Sequence, residues 1–281
     1  MIKVNDPIYG SHELPAVFED LLNCSTLKRL SNIHHSGAIF LVDPEICHHR
    51  LEHSIGVTLL IKMLGGTELE QIAGLLHDVS HTAFSHVGDY VMNNTEETYH
   101  EQLFESLLRQ SEVPAILHWH GYHIDQILQG HFPILEQPMP LLCADRLDYT
   151  LRDAVHSGLI SKLQAKNFLP FIKLQEDRIV VTDLAQAEWI NQLYKRLNEE
   201  FYNAPLYVYA NQQLAMLIVA LLKSGALHET DLLKDDTFLL NKIRSTSVGY
   251  EGIKAIKNHK GYVDFLKKGP SLKIKKRTLM A

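Results

Sequence analysis

Between His48 and Asp89 the chain concentrates side chains that bind metals and move protons: His53, the adjacent pair His77 and Asp78, then His81, His86 and Asp89. Asp145 follows later and completes a set of two histidines and two carboxylates with His53, His77 and Asp78. Imidazole and carboxylate are borderline-to-hard ligands suited to a divalent metal ion such as manganese, iron, nickel, zinc or magnesium, and no thiolate accompanies them as a structural zinc cage would require. Such a set leaves coordination positions open. Open positions fit catalysis, because water and a phosphate oxygen can then bind side by side.

These groups need elements to hold them. Arg50 to Leu64 has helical apolar spacing and ends at Gly65 and Gly66, where glycine supplies a left-handed cap. Arg50 and His53, three apart, share a face of it. Thr67 to Glu70 has the form of a capping box, opening a helix whose apolar positions Leu69, Ile72, Ala73 and Leu76 lead to His77 and Asp78. Two ionisable groups closing so apolar a helix need a partner, which a metal ion provides. VSHTAFSH reads as a loop in which Ser85 caps a helix starting at His86. Tyr99 to Arg109 reads as a helix with His100 near its start, and PLLCADRLDYTLRDAV as another that places Asp145, Tyr149 and Arg152 on one face.

Elsewhere, NDP and YG within residues 1–12 predict an irregular N-terminal arm, and Val17 to Leu30 two helical pieces breaking near Cys24 and Ser25. AIFLV at 38–42 is either a buried strand or a loop. FIKLQEDRIVV predicts a hairpin turning at Glu176 and Asp177, the one β element. Leu184 to Tyr202 and Leu206 to Lys223 read as long amphipathic helices, followed by a smaller helical lobe and a basic tail, Lys267, Lys268 and SLKIKKR. The expected fold class is mainly α with one small β-hairpin. Residues 1–160 form a core with its arm, and 161–281 a C-terminal helical lobe packed on it as one unit.

A chain of 281 residues, 46% hydrophobic and 21% charged, suits one large hydrophobic core. A net charge of −6 argues against a dedicated nucleic-acid binder, whose mark is a basic excess. Three scattered cysteines fit a reducing, cytoplasmic setting. Neither a signal peptide nor a stretch of about eighteen apolar residues is apparent, so no membrane partner is expected. Of the seventeen histidines, His34, His48, His49, His118, His120, His123 and His131 read as surface or loop residues. Trp119, Trp189, Tyr202, Tyr207 and Tyr209 read as core or subunit interface.

RLEHSIGV, LLHDVSHTAFSHVGD, YHEQ and DRLDYTLRD, with the N-terminal NDPIYG, resemble the HD-domain phosphohydrolases, and within them the branch of deoxynucleoside triphosphate triphosphohydrolases. The resemblance fades after Ile160. It implies an HD-domain helical fold with His53, His77, Asp78 and Asp145 as metal ligands. It further implies His81 on a substrate phosphate and His86 as proton donor to the leaving oxygen, held and tuned by Asp89 and His100. Arg50 is implied as a phosphate-binding or supporting group, and Arg146, Tyr149 and Asp153 as contacts to phosphate and sugar. His35 stands where the branch uses a glutamine to read a sugar hydroxyl. Asn23, Lys28 and Ser31 replace the Asp, Gln and Arg with which regulated animal members bind an activating guanine nucleotide, so activation through that site is expected to be absent or altered. No arginine matches the triphosphate grip: Arg196 is nearby, but Glu199, Glu200 and Phe201 fill the register.

The expected function is hydrolysis of deoxynucleoside triphosphates to deoxynucleoside and triphosphate. Alternatives are a phosphatase for nucleoside monophosphates or other phosphate esters and, of a different class, a non-catalytic nucleotide sensor. The expected partner is a small-molecule nucleotide, and a homo-oligomer is expected from the family and the apolar helices at 184–223.

Overall fold

The computed structural model describes residues 1–270 and Leu279, so the SLKIKKR tail lies outside the described residues. About 60% of the chain is helical. The axis of the site is the Arg50–Met63 helix, whose Val57, Leu59, Leu60 and Ile61 are buried and which ends at Leu64 before a left-handed Gly65 (φ +83°). Two helices, Glu68–Leu76 and Ala144–His156, pack along it. Glycine sets how closely they approach. A Cβ on Gly56 would lie 2.0 Å from Asp148 Oδ1 and 2.1 Å from Arg152 Nη2.

Thr67 caps the Glu68–Leu76 helix by accepting the Glu70 amide at 3.2 Å. The reciprocal half of the expected capping box is not made. The Glu70 carboxylate instead accepts the amides of Ile134 and Leu135 at 2.7 and 3.2 Å, fastening the segment that feeds the Ala144–His156 helix. Ser85 is likewise not a cap. It adopts φ +54° and its hydroxyl points back to His34 O, while His86 occupies the position before the Val87–Val91 helix.

The N-terminal arm is ordered rather than irregular. Ile2–Asp6 and Gly10–Leu14 pair antiparallel, Ile2 opposite Leu14. NDPIYG makes the turn: Asp6 Oδ1 accepts the amides of Ile8 and Tyr9 at 2.7 and 3.0 Å, the local bonding that suits aspartate to turns. Among the described residues there are therefore two hairpins where one was expected. The second, Ile172–Gln175 with Arg178–Val181, turns at Glu176 and Asp177 as expected. Residues 38–42 form neither strand nor plain loop but a 3₁₀ turn, Ile39–Leu41.

Leu184–Arg196 runs on into a wider π-helical segment, Leu197–Tyr202, before Pro205–Lys223 begins. That last helix is long and apolar enough to cross a membrane, contrary to the expectation that no such stretch exists. Its Val208, Tyr209, Ala210, Leu214, Ile218 and Leu221 are buried in the protein's own interior. One apolar cluster runs from the N-terminal hairpin to Phe201. A second joins Ala38, Leu41, Ala83, Phe84 and Val87 to residues of the C-terminal lobe from Ala210 to Ile256.

Because Gly56 lies against Asp148 and Arg152, Gly56→Ala is expected to destabilise the protein by about 1–3 kcal/mol through overpacking. Urea unfolding measures this; an unchanged midpoint would mean that the two helices separate freely.

Candidate active site

A cavity of about 580 Å³ opens beside these helices, and every site residue expected from sequence lines it except Asp89, which stands behind His86. At its floor, His53 from the axial helix meets His77 and Asp78 from the end of the next helix and Asp145 from the first turn of the third. His53 Nε2 lies 3.2 Å from His77 Nε2, 3.0 Å from Asp145 Oδ1 and 3.7 Å from Asp78 Oδ2. His77 Nε2 lies 3.5 Å from both Asp78 Oδ1 and Asp145 Oδ1.

The protons of these imidazoles decide what the cluster can hold. His53 Nδ1–H donates to Asp148 Oδ2 at 2.8 Å, and His77 Nδ1–H to the Gly74 carbonyl at 2.8 Å; neither acceptor can donate in return. In the neutral rings both Nε2 atoms therefore carry lone pairs, and they converge on carboxylate oxygens that are also acceptors. Asp78 is bonded by Arg50, but the two Nε2 atoms and the Asp145 oxygen meet with no donor among them, which calls for a cation. Without a metal, that need falls on a proton. Burial disfavours the charged imidazole, but the Asp145 and Asp148 carboxylates outweigh it and push His53 up to about 10. Despite its burial, Asp78 is held well below the usual carboxylate range by Arg50 and by His77 and His81. The residues present thus fit a divalent ion.

Arg50 is buried, with Nη1 on Asp78 Oδ2 at 2.6 Å and Nε on Ser85 Oγ at 2.7 Å. His81 Nε2 faces Asp78 Oδ1 at 3.2 Å, and its ring stacks on His100 at 3.8 Å. Burial, then the charge of Arg50, keeps His81 neutral, while burial and His86 push His100 down to about 4. His86 Nδ1 pairs with Asp89 Oδ2 at 3.0 Å, and Asp89 is itself fixed by the Tyr99 amide at 2.9 Å. This leaves His86 Nε2 toward the cavity. The His100 ring lies edge-on to His86 at 5.8 Å.

At the other end, Asp153 is fully engaged: Oδ1 accepts from His48 Nε2 at 2.6 Å and His35 Nδ1 at 3.2 Å, Oδ2 from the Tyr202 hydroxyl at 2.6 Å. Burial pushes His35 down to about 3, so its Nε2 is an acceptor. Tyr149 meets Tyr194 hydroxyl to hydroxyl at 3.1 Å. Arg146 bonds the carbonyls of Gln137 and Leu141, fixing the cavity rim. Arg196 forks onto Glu200 on the exposed surface and does not reach the cavity.

Several expectations are corrected here. His48 is buried behind Asp153 rather than on the surface, His34 bonds the buried Asp236 at 2.7 Å, and Tyr202 belongs to the site rather than to bulk core. Trp119 is 84% exposed, which removes the core from its two expected places and leaves the subunit interface. Sequence reading also missed Asp148, which orients His53, and Arg152, whose guanidinium joins Asp148 to Asp6 with 2.9 Å bonds. The four-residue spacing of Asp148 and Arg152 signals a helical pair; nothing local signals that His53, 95 residues earlier, meets it.

Asp148→Asn takes away the carboxylate charge beside His53 and sets an amide donor against either His53 or Arg152. Divalent-metal affinity is expected to fall about 10–100-fold, read as metal retained after dialysis against graded chelator. Parent-like retention would refute the role given to Asp148.

Residues 50–153 match the HD domain family. The chain is 44% identical to the protein YdhJ of Bacillus subtilis, over 87% of this chain and 76% of that one. It is 32% identical to the metal-dependent phosphohydrolase cns2 of Cordyceps militaris, over 81% and 68%. The deoxynucleoside triphosphate triphosphohydrolase SAMHD1 of Homo sapiens is 26% identical over 68% of this chain, which covers 39% of it. A solved phosphohydrolase from Bacteroides thetaiotaomicron shares the fold, with a TM-score of 0.73 at 20% identity over 92% of this chain and 78% of that one. The relatives span most of the chain and the matched segment contains the whole His53, His77, Asp78 and Asp145 cluster; the chain belongs to the HD-domain family and is a metal-dependent phosphohydrolase.

Proposed function

We propose that this enzyme hydrolyses the ester between the sugar oxygen of a nucleotide and its first phosphorus, releasing a nucleoside. The observation that carries the reading is the convergence of the two proton-free Nε2 atoms of His53 and His77 on Asp145, in the same cavity as the Asp89-held His86. His53, His77, Asp78 and Asp145 would hold the divalent ion. When bound, that ion supplies an activated water at neutral pH and neutralises charge on the phosphoryl group.

The chain's own groups do the rest. Arg50, locked between Asp78 and Ser85, presents fixed positive charge beside the phosphoryl oxygens. Asp89 accepts the Nδ1–H of His86 and orients the ring, and in its imidazolium form His86 gives the Nε2 proton to the departing sugar oxygen and is left as the neutral ring. His81 and His100 pack against it as neutral rings that position Asp78 and His86. Tyr149 and Tyr202 line the opposite wall, and His35 offers Nε2 as an acceptor for a sugar hydroxyl. Arg146 acts by holding the rim. A nucleotide sensor would need neither His86 nor its supports. Residues 1–160 and 161–281 act in this reading as one unit, and exposed apolar side chains such as Leu184 and Met216 are available to a homo-oligomer.

The named deoxynucleoside triphosphate triphosphohydrolases among the relatives support a deoxynucleoside triphosphate as substrate, with triphosphate as the second product. One observation favours a nucleoside monophosphate instead. Among the described residues lining the cavity, Arg50 and Arg146 are the only arginines and there is no lysine, whereas Glu97, Glu101 and Glu136 join the aspartates. Both arginines already have partners, which leaves little positive charge for a long phosphate chain.

Phosphorus NMR of the metal-loaded enzyme with a mixed nucleotide panel separates the readings: triphosphate appears for the first, orthophosphate from monophosphates for the second, and no product from any nucleotide rejects both. His86→Ala is expected to lower kcat by about 10²–10⁴-fold with metal content unchanged, whereas His77→Ala loses metal and turnover together. Full turnover in His86→Ala would remove it as the acid.

A further inference from the structure

The turn between His81 and His86 has a backbone that its own residues disfavour. Phe84 and Ser85 are both left-handed (φ +59° and +54°), and neither is glycine. Such a conformation persists where surrounding contacts over-determine it. Here the contacts come from the C-terminal lobe. The Phe84 amide donates to Asp236 Oδ1 at 2.6 Å, and the Ala83 amide to the Leu232 carbonyl at 2.8 Å. Asp236 Oδ2 accepts the backbone amide and the Nδ1–H of His34, at 2.8 and 2.7 Å, and the Ser85 hydroxyl donates to His34 O at 2.6 Å. Asp236 is 2% exposed and opens the Asp236–Arg244 helix, its own amide bonding Asn32 O at 3.1 Å. One buried carboxylate therefore ties residues 34 and 84 to the lobe.

We propose that Asp236 is a positioning residue for the proton donor: by clamping the Phe84–Ser85 turn it fixes the direction in which His86 presents Nε2, which makes the C-terminal lobe a working part of the active site. This rests on the assignment of His86 as the acid. His86 directly follows the turn and has little freedom to compensate for its loss. A Cβ on Gly88 would lie 2.0 Å from Thr82 Oγ1, and the Thr82 hydroxyl itself closes the turn by donating to Ser85 O at 3.0 Å. None of His53, His77, Asp78 and Asp145 is hydrogen-bonded to Asp236; the turn reaches them through Arg50, whose Nε bonds Ser85 Oγ and whose Nη1 bonds Asp78, so metal content is read beside turnover.

The test compares Asp236→Asn, whose amide sets a donor against N–H groups, with Asp231→Asn in the same lobe, whose carboxylate bonds Lys242 and the His228 amide but no atom of the turn. His34→Ala, removing one donor to the same carboxylate, is the milder second variant should Asp236→Asn not fold. Each protein is assayed well below its thermal midpoint for metal content, for Phe84 amide exchange, and for turnover of a nucleoside phosphate and of p-nitrophenyl phosphate, whose leaving group departs without a proton. Asp236→Asn is expected to keep its metal, to exchange the Phe84 amide faster, and to lose at least about tenfold in kcat on the nucleoside phosphate but no more than about threefold on p-nitrophenyl phosphate. His34→Ala moves the ratio the same way by less, and Asp231→Asn leaves it unchanged. An equal loss on both substrates, or a Phe84 amide as protected as in the parent, overturns the proposal. A parent protein inactive on both substrates overturns the reading of His86 and the positioning role with it, while the Phe84 exchange still reports whether Asp236 clamps the turn.

Discussion

The guanidinium of Arg152, wholly buried between Asp6 and Asp148, is the interaction on which the rest depends. Through Asp6 it fastens the N-terminal hairpin to the Ala144–His156 helix, and Tyr9 of the same turn places its ring 6.0 Å beneath it. Through Asp148 it fixes His53, whose lone pair can face the cavity because its other nitrogen is held. Losing one partner of such a buried pair costs about 3–5 kcal/mol. The architecture follows: Gly56 is the residue that lets the axial helix approach this pair.

Charge balance carries the same logic to the metal centre. Asp6 and Asp148 share the Arg152 guanidinium and Asp78 has that of Arg50, whereas Asp145 meets only His53 and His77. A cation among these last three would supply the missing partner. The cavity is divided in the same way: its floor collects carboxylates and imidazoles, one side holds His86 oriented by Asp89, and the far wall of His35, Asp153, Tyr149 and Tyr202 offers hydrogen bonds.

Much of this was legible in the chain because it is local. Helical spacing and glycine stops placed the axial helix within a residue of its observed end, and the apolar helix leading to His77 and Asp78 signalled a partner. What escaped is contact over long separation. The four-residue spacing of Asp148 and Arg152 says nothing of His53, and Tyr202 reaches the site from the π segment that continues the Leu184–Arg196 helix. NDPIYG was read as loop chemistry, although the same aspartate that makes a turn also closes a hairpin when the flanking strands find each other. His48 shows the limit of composition: in a histidine-rich chain, burial behind Asp153 is not visible in residue type.

One divalent ion is expected where the free nitrogens of His53 and His77 converge. Anomalous diffraction at the zinc edge, from crystals grown with zinc, tests it most directly. A peak is expected about 2.0–2.2 Å from His53 Nε2, His77 Nε2 and carboxylate oxygens of Asp78 and Asp145. A peak elsewhere, or none at this position in metal-loaded protein, would contradict it.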